Sequence, residues 1–224
     1  MIEFEEASFN HGASAVLRGL TLGLAPGAFH VLIGPSGAGK TTFLRLCYMD
    51  LAPSAGRMRW FGQTIAPNDR KAIAGLRRAI GVVPREPELL DHLTVLENVA
   101  LPLTVGAVRA EDRAGDLKAL LEWVDLAGRA EALPAVLSRS ERQRVALARA
   151  VIMSPELILA DEPAAVDWQG SLQLLALLVE LNRMGKTVLV ATHEPAVLRA
   201  LDGEVEVRVL ELADGRIAPV EMAS

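Results

Sequence analysis

The sequence predicts an α/β fold with a mostly helical block inserted into it. Short apolar runs typical of buried strands recur along the chain, and stretches with apolar residues at helical spacing alternate with them. The helical stretches crowd together from about residue 85 to residue 155, and strand signals stand on both sides of that block. A glycine-rich loop near residue 34 also joins an apolar run to a helical stretch.

The N-terminal part is predicted to consist mainly of strands. Residues 2–7 (IEFEEA) alternate apolar and polar side chains, which suits an edge strand, and residues 16–24 (VLRGLTLGL) alternate in the same way. Residues 29–33 (FHVLI) form a short apolar run of the kind that becomes a buried strand. Further strands are predicted at 57–61 and at 80–83 (IGVV).

Helical patterns dominate the middle of the chain, and strand signals return after it. Thr94 has the side chain of an N-cap before the segment VLENVAL, and residues 110–124 and 141–153 carry apolar residues at helical spacing. The remaining predicted elements are strands at 157–160, 187–192 and 205–210, a helix at 171–184 and a turn at 213–216.

Composition excludes several classes of protein. The formal net charge of −5 argues against a general nucleic-acid binder, which needs a basic face to displace counterions. Cys47 is the only cysteine, so no intrachain disulfide can form and a reducing compartment is expected. No apolar run reaches the length of about eighteen residues that a membrane span needs, so we expect any membrane role to come through a partner.

Residues 34–41 (GPSGAGKT) match the phosphate-loop pattern G-x-x-x-x-G-K-[ST] without a mismatch. The glycines let backbone N–H groups point at phosphate oxygens, and the following helix adds its positive end. Lys40 can neutralise the β- and γ-phosphates, and the Thr41 hydroxyl can ligate Mg²⁺. A dinucleotide-binding loop is the alternative, but it needs a third glycine that this loop lacks. The sequence therefore predicts a phosphate-loop NTPase (RecA-like) core, with nucleotide-binding residues Gly34, Pro35, Ser36, Gly37, Ala38, Gly39, Lys40, Thr41 and Thr42.

Two carboxylates, Asp161 and Glu162, end the apolar run LILA. Asp161 is the candidate to hold Mg²⁺, usually through water, and Glu162 is the candidate general base that polarises the attacking water. Acids also follow buried strands simply to meet solvent, so the pair alone is a weak signal. Together with the phosphate loop it predicts a site for nucleotide hydrolysis.

The segments LSRSERQRVALARA and LILADEP, in one chain with the phosphate loop, resemble the ATP-binding subunits of ABC transporters. The resemblance covers essentially the whole chain and implies the ABC ATPase fold, with an antiparallel β edge and a helical subdomain that faces a membrane partner. It implies one domain over 1–224, with a core at 1–84 and 156–224 and a helical subdomain at 85–155.

The resemblance also implies roles for single residues. In the family a signature motif of the LSGGQ type reaches across a two-fold dimer to the γ-phosphate, so a homodimer is implied, and Ser138 keeps the serine of that motif. Residues 138–141 (SRSE) also have the spacing of a capping box, so we expect the helix start to be preserved. His193 falls where the family has its switch histidine, although a histidine after a strand is more often an ordinary surface residue. ATP and Mg²⁺ are the implied cofactors.

Several stretches look most like the cell-division branch of the family, the FtsE group, which works with the membrane protein FtsX. They are LDHLTVLENVALPL at 90–103, ARAVIMSPELILADEP at 148–163 and LNRMGKTVLVATHE at 181–194. An FtsX-like integral membrane permease is therefore the expected partner, and a cytoplasmic chain held peripherally at the inner face of the plasma membrane is the expected location. ATPases of lipoprotein release and of macrolide efflux share much of this pattern.

The chain departs from the family pattern in four places. Arg139-Ser140 stands for the two signature glycines, and Arg85 stands for the glutamine that follows the strand IGVV. After the acidic pair, residues 164–168 read AAVDW where the family shows Thr-Gly-Asn-Leu-Asp. The aromatic residue that stacks on adenine has two candidates, Phe9 and His11.

These departures leave alternatives open. We expect an ATPase with slow hydrolysis, because the groups that bind MgATP and activate water are present while those that sense partners are altered. A nucleotide-gated scaffold with little turnover, and the ATPase of an exporter, are the two other readings. Arg139 either supplies a guanidinium to the phosphate or points to solvent, and we favour the second. The preference for ATP over GTP is inferred from the resemblance alone.

Overall fold

A computed structural model of the chain describes residues 1–106, 110–163 and 168–220. The strands in these ranges are β1 (Ile2–His11), β2 (Ser14–Leu24), β3 (Phe29–Ile33), β4 (Ala55–Trp60), β5 (Ile80–Val83), β6 (Leu157–Asp161), β7 (Thr187–Thr192), β8 (Val207–Ala213) and β9 (Arg216–Val220). The α-helices are α1 (Lys40–Cys47), α2 (Arg70–Arg78), α3 (Val95–Val105), α4 (Ala114–Trp123), α5 (Arg139–Val151), α6 (Trp168–Arg183) and α7 (Ala196–Leu201).

The strands form two sheets. The larger has the order β5-β6-β7-β3-β8-β9, parallel except for the β8–β9 pair, and the smaller is an antiparallel sheet of order β2-β1-β4. The strands β6 and β7 are buried at every position, and β3 is buried at all but its last residue. Continuous apolar runs become central strands of a parallel sheet because helices or a second sheet cover both faces.

The alternating pattern of β1 predicted an edge strand, but β1 does not lie at an edge. It is the middle strand of the antiparallel sheet and pairs with β2 on one side and β4 on the other. Alternation indicates that one face of a strand is buried and the other is exposed to solvent. A central strand of a sheet with one solvated face shows the same alternation.

The helical block has its own buried cluster. Val95 and Val99 of α3, Leu117 of α4 and Val145 of α5 pack there, while Leu147 of α5 is buried against the parallel sheet. α5 therefore packs both in the cluster of the helical block and against the parallel sheet. The division into a core at 1–84 and 156–224 and a helical subdomain at 85–155 stays a prediction. Within the ranges given above, every helix is too short or too polar to cross a membrane.

Two α-helices and one strand were not predicted. The segment of α2 (RKAIAGLRR) is mostly polar, so it shows little apolar periodicity, although the Asp69 carboxylate accepts the Ala72 N–H at 3.0 Å as an N-cap. α7 is a short helix of six residues. β9 pairs with β8 across Asp214 and Gly215, which both have positive φ, so the predicted turn joins a hairpin.

Candidate nucleotide-binding site

The phosphate loop leaves the end of β3 and leads directly into α1. Gly37 and Gly39 have φ of 80° and 102°, a backbone region that favours glycine. A Cβ on Gly34 would lie 2.3 Å from the Leu212 carbonyl oxygen, so the loop passes too close to β8 for any side chain there. The glycines of the motif are thus required by backbone conformation and by packing.

Lys40 is the first residue of α1 and folds back across the loop. Its Nζ donates to the carbonyl oxygens of Gly34 at 2.9 Å and of Pro35 at 3.1 Å. The same Nζ lies 3.2 Å from Glu162 Oε1, and both side chains are almost completely buried. Because an ammonium also donates to phosphate oxygens, Lys40 is placed where it could neutralise a phosphate bound in the loop.

Thr41 and Asp161 meet at the same end of the sheet. The Thr41 hydroxyl donates to Asp161 Oδ2 at 2.7 Å, although the two residues are 120 positions apart. The other oxygen, Oδ1, is buried and has no hydrogen-bond partner among the described residues. Burial raises the pKa of Asp161 above its usual value, and the Thr41 hydrogen bond opposes this rise. A buried oxygen without a donor, beside a hydroxyl, fits the oxygen ligands that Mg²⁺ prefers, so these two residues could hold it.

Glu162 follows β6 and bonds to the end of the neighbouring strand β7. Its backbone N–H donates to the Ala191 carbonyl oxygen at 2.8 Å, and its Oε2 lies 2.6 Å from His193 Nδ1. The parallel pairing of β6 with β7 places Asp161 beside Ala191, so Glu162, one residue further on, comes close to His193, two residues after Ala191. The His193 side chain is 39% exposed, so it stands between the carboxylate and solvent.

The signature segment starts α5. The Ser138 hydroxyl accepts the Glu141 N–H at 3.2 Å, and Glu141 Oε2 accepts the Ser138 N–H at 2.7 Å, which is a complete capping box. The predicted cap is therefore confirmed, as is that of Thr94 on α3. Ser138 and Arg139 are exposed and do not line the cavity at the phosphate loop of the same chain.

The two aromatic candidates differ in burial. Phe9 packs in the core cluster beneath the antiparallel sheet, whereas His11, at the end of β1, is exposed. Their ring centroids are 6.5 Å apart. His11 is the ring with a free face, so it stays the predicted adenine contact. Of the variant segment after the acidic pair, 164–167 lie outside the described residues.

Two residues beside the site were missed. The Gln143 amide donates to the carbonyl oxygens of Arg85 at 2.7 Å and Pro84 at 3.2 Å, and so ties the loop after β5 to α5. A glutamine on the apolar face of α5 was the available signal. Val16 lines the cavities on both sides of the phosphate loop, and nothing in the sequence distinguishes it from other valines of a strand.

The sequence of this chain is similar to those of many known proteins. Residues 17–165 match the family model described as ABC transporter. The cell division ATP-binding protein FtsE of Escherichia coli is 38% identical over 219 residues, which cover 97% of each chain. The methionine import ATP-binding protein MetN 2 of Burkholderia mallei is 41% identical over 198 residues, but this chain spans only 50% of its length.

A solved structure has the same fold. It is the ATP-binding cassette MJ0796 in a dimeric, post-hydrolysis state bound to ADP and Pi, with a TM-score of 0.87, 31% identity and complete coverage of both chains. The predicted ABC ATPase fold is thereby confirmed. Family model, relatives and fold together show that this chain belongs to the ABC transporter family, among its ATP-binding proteins.

Proposed function

We propose that this chain is an ATP-binding subunit that binds MgATP, forms a homodimer and hydrolyses ATP slowly while acting on a membrane partner. One observation carries the proposal: a network of two sets of contacts joins the phosphate loop to both carboxylates, and Lys40, Asp161 and Glu162 in it are buried. Lys40 bonds Glu162, Thr41 bonds Asp161, and His193 bonds the far oxygen of Glu162.

The network suggests how binding would prepare the general base. A triphosphate in the loop offers Lys40 a more highly charged acceptor than the two carbonyl oxygens that it now contacts. Movement of the ammonium towards the phosphate frees Glu162 Oε1, which can then accept a proton from a water in line with the terminal phosphate. His193 holds the other carboxylate oxygen and keeps Glu162 oriented.

Thr41 and Asp161 are the residues that would hold Mg²⁺. When bound, the ion supplies positive charge that stabilises the phosphates during transfer. The Thr41 hydroxyl and the unpartnered Oδ1 of Asp161 are the oxygens available for it.

Slow turnover is proposed from the altered signature. Arg139 and Ser140 carry a Cβ where the family pattern has glycine, and a Cβ restricts how closely and in what conformation backbone approaches a phosphate. The Ser138 hydroxyl accepts a bond from its own helix and has a single O–H, so it can donate at most one hydrogen bond to a phosphate.

The membrane partner is proposed to dock in the groove between α2 and α3. This cavity of about 730 Å³ has apolar lining from Ile73, Val82 and Leu101. Its lining also includes the basic residues Arg70, Arg77, Arg78 and Arg149. Charge complementarity favours an acidic segment with apolar anchors from an integral membrane protein. By likeness to FtsE, we propose an FtsX-like permease, a role in cell division and a peripheral position at the cytoplasmic face of the membrane.

The enzymatic proposal is tested by steady-state phosphate release. Glu162→Gln removes the base while keeping the shape, and we expect the rate to fall by about a hundredfold or more. Glu156→Gln, the same change at an exposed glutamate, is the matched control and should leave the rate unchanged. Equal rates for the wild type and Glu162→Gln would remove the enzymatic claim.

A scaffold with little turnover is the second candidate, and the variant signature favours it. Restoring glycine through Arg139→Gly and Ser140→Gly should increase both phosphate release and ATP-driven dimerisation, measured by light scattering. If neither changes, these two residues are not the cause of slow turnover. A wild type that dimerises with ATP yet releases no phosphate supports the scaffold.

The partner is tested by co-expression with an FtsX-like permease and, separately, with a macrolide-exporter permease. Copurification with the first alone supports the cell-division assignment, and copurification with the second alone assigns the exporter role. Arg78→Glu should weaken the complex if the groove is the docking surface. Arg199→Glu reverses an exposed charge on α7 and serves as the control.

A further inference from the structure

Arg85 stands at the edge of the phosphate-loop cavity. This cavity of about 220 Å³ is lined by the loop together with Arg85 and Glu162. The parallel pairing of β5 with β6 sets Val83 beside Ala160, so the chain that continues from β5 runs next to the two carboxylates that end β6. Arg85 is therefore placed on the Mg²⁺ side of the predicted site.

A hydrogen bond from a buried side chain holds the backbone at Arg85 in place. The Gln143 amide, which is 2% exposed, donates to the Arg85 carbonyl oxygen at 2.7 Å. This bond leaves the side chain unconstrained while fixing its point of departure at the cavity. Across the described part of the chain, the guanidinium forms neither a hydrogen bond nor an ion pair, and the residue is exposed.

A guanidinium in this place has a limited chemistry. It carries five N–H donors and no acceptor, so it cannot ligate a metal ion. It does bind phosphate oxygens, often through two parallel bonds, and it keeps its charge at any physiological pH. Close to Asp161 and Thr41, its charge opposes the arrival of a divalent cation and favours the arrival of a polyanion.

We propose that Arg85 contacts the terminal phosphate of bound ATP and thereby makes ATP binding by this chain only weakly dependent on Mg²⁺. The inference rests on the proposed function, because it assumes that the loop binds ATP. When ATP is bound, the guanidinium takes over part of the charge neutralisation that would otherwise require the metal.

The test measures ATP affinity by titration calorimetry in buffers with excess Mg²⁺ and with excess EDTA. For the wild type we expect dissociation constants that differ by about threefold or less. For Arg85→Gln the ratio should rise by about tenfold or more, the change that loss of one charge-assisted hydrogen bond produces. Arg199→Gln, at an exposed arginine of α7, is the matched control and should leave the ratio unchanged.

The outcomes separate this inference from the function on which it rests. If Arg85→Gln and the wild type show the same ratio while both bind ATP, the inference is overturned and the proposed function stands. If the folded wild type binds ATP in neither buffer, the proposed function fails as well. Because Arg85 is exposed and its backbone bond does not involve the side chain, the variant is expected to unfold at the wild-type temperature, and a melting curve checks this.

Discussion

Stability of this protein should depend on pH through one buried histidine. His30 lies in β3 and is 1% exposed. Its Nε2 accepts the Ala25 N–H at 3.3 Å, and its Nδ1 has no hydrogen-bond partner in the described part of the chain. Burial, with a smaller contribution from the charge of Arg208 on the neighbouring strand β8, lowers the pKa of His30 from 6.5 to about 4. The folded protein therefore keeps this ring neutral where the unfolded chain protonates it.

The sign and size of the effect follow from that shift. Between about pH 6.5 and about pH 4 the unfolded chain binds more protons at this residue than the folded protein does. The free energy of unfolding therefore falls as the pH falls through this window, and the contribution is fully present above it. A shift from 6.5 to about 4 corresponds to about 3 kcal/mol in total, of which about 2 kcal/mol is lost between about pH 7 and about pH 5.

Urea unfolding of the wild type and of His30→Gln at these two pH values measures the effect. Glutamine can still accept the Ala25 N–H but does not titrate, so the variant should lose about 2 kcal/mol less than the wild type on acidification. His92→Gln, at an exposed histidine, is the control and should lose as much free energy of unfolding as the wild type between the two pH values. If His30→Gln and the wild type lose the same free energy, His30 is not the group that responds to pH.

Three further predictions concern packing, helix caps and the thiol. Gly56→Ala should destabilise the antiparallel sheet by about 3 kcal/mol or more, because φ is 77° and the new Cβ would lie 2.2 Å from the Glu6 carbonyl oxygen; a melting curve unchanged from that of the wild type contradicts this. Ser138→Ala should cost about 1 kcal/mol by removing the cap of α5, and Thr94→Ala should cost a similar amount for α3, both measured in urea; no loss in either variant refutes the capping role. Cys47 is fully buried and burial raises the pKa of its thiol, so a thiol-specific chromogenic reagent should label it only upon unfolding. Rapid labelling of the native protein would show that the core around this thiol opens.

The elements that sequence patterns predicted best are those with a purely local cause. The runs of β3, β5 and β7 were bounded correctly because continuous apolar residues between polar turns leave little choice of limits. The caps at Thr94 and Ser138 were predicted because an N-cap and its partner lie three residues apart. α2 was missed because a short helix rich in arginine has little apolar periodicity to detect.

Predictions that depend on contacts between segments far apart in the sequence were incomplete. The central place of β1 depends on β4, which joins it only after the chain has passed through α1. Phe9 and His11 had equal standing as aromatic candidates until the packing of the sheet buried the first and exposed the second. The role of Gln143 depends on a loop 58 positions away, so no local pattern could indicate it.

Residues adjacent along the chain are sufficient to predict a phosphate-binding loop, an acidic pair and a capped signature helix. The contact between Thr41 and Asp161 across 120 positions, and the place of Arg85 at the cavity of the phosphate loop, depend on the folded arrangement. The physical reason is the order of strands in the parallel sheet, which collects the ends of β3, β5, β6 and β7 at one edge. Spacing along a chain contains no information about which strands become neighbours, and the chemistry of this site depends on those neighbours.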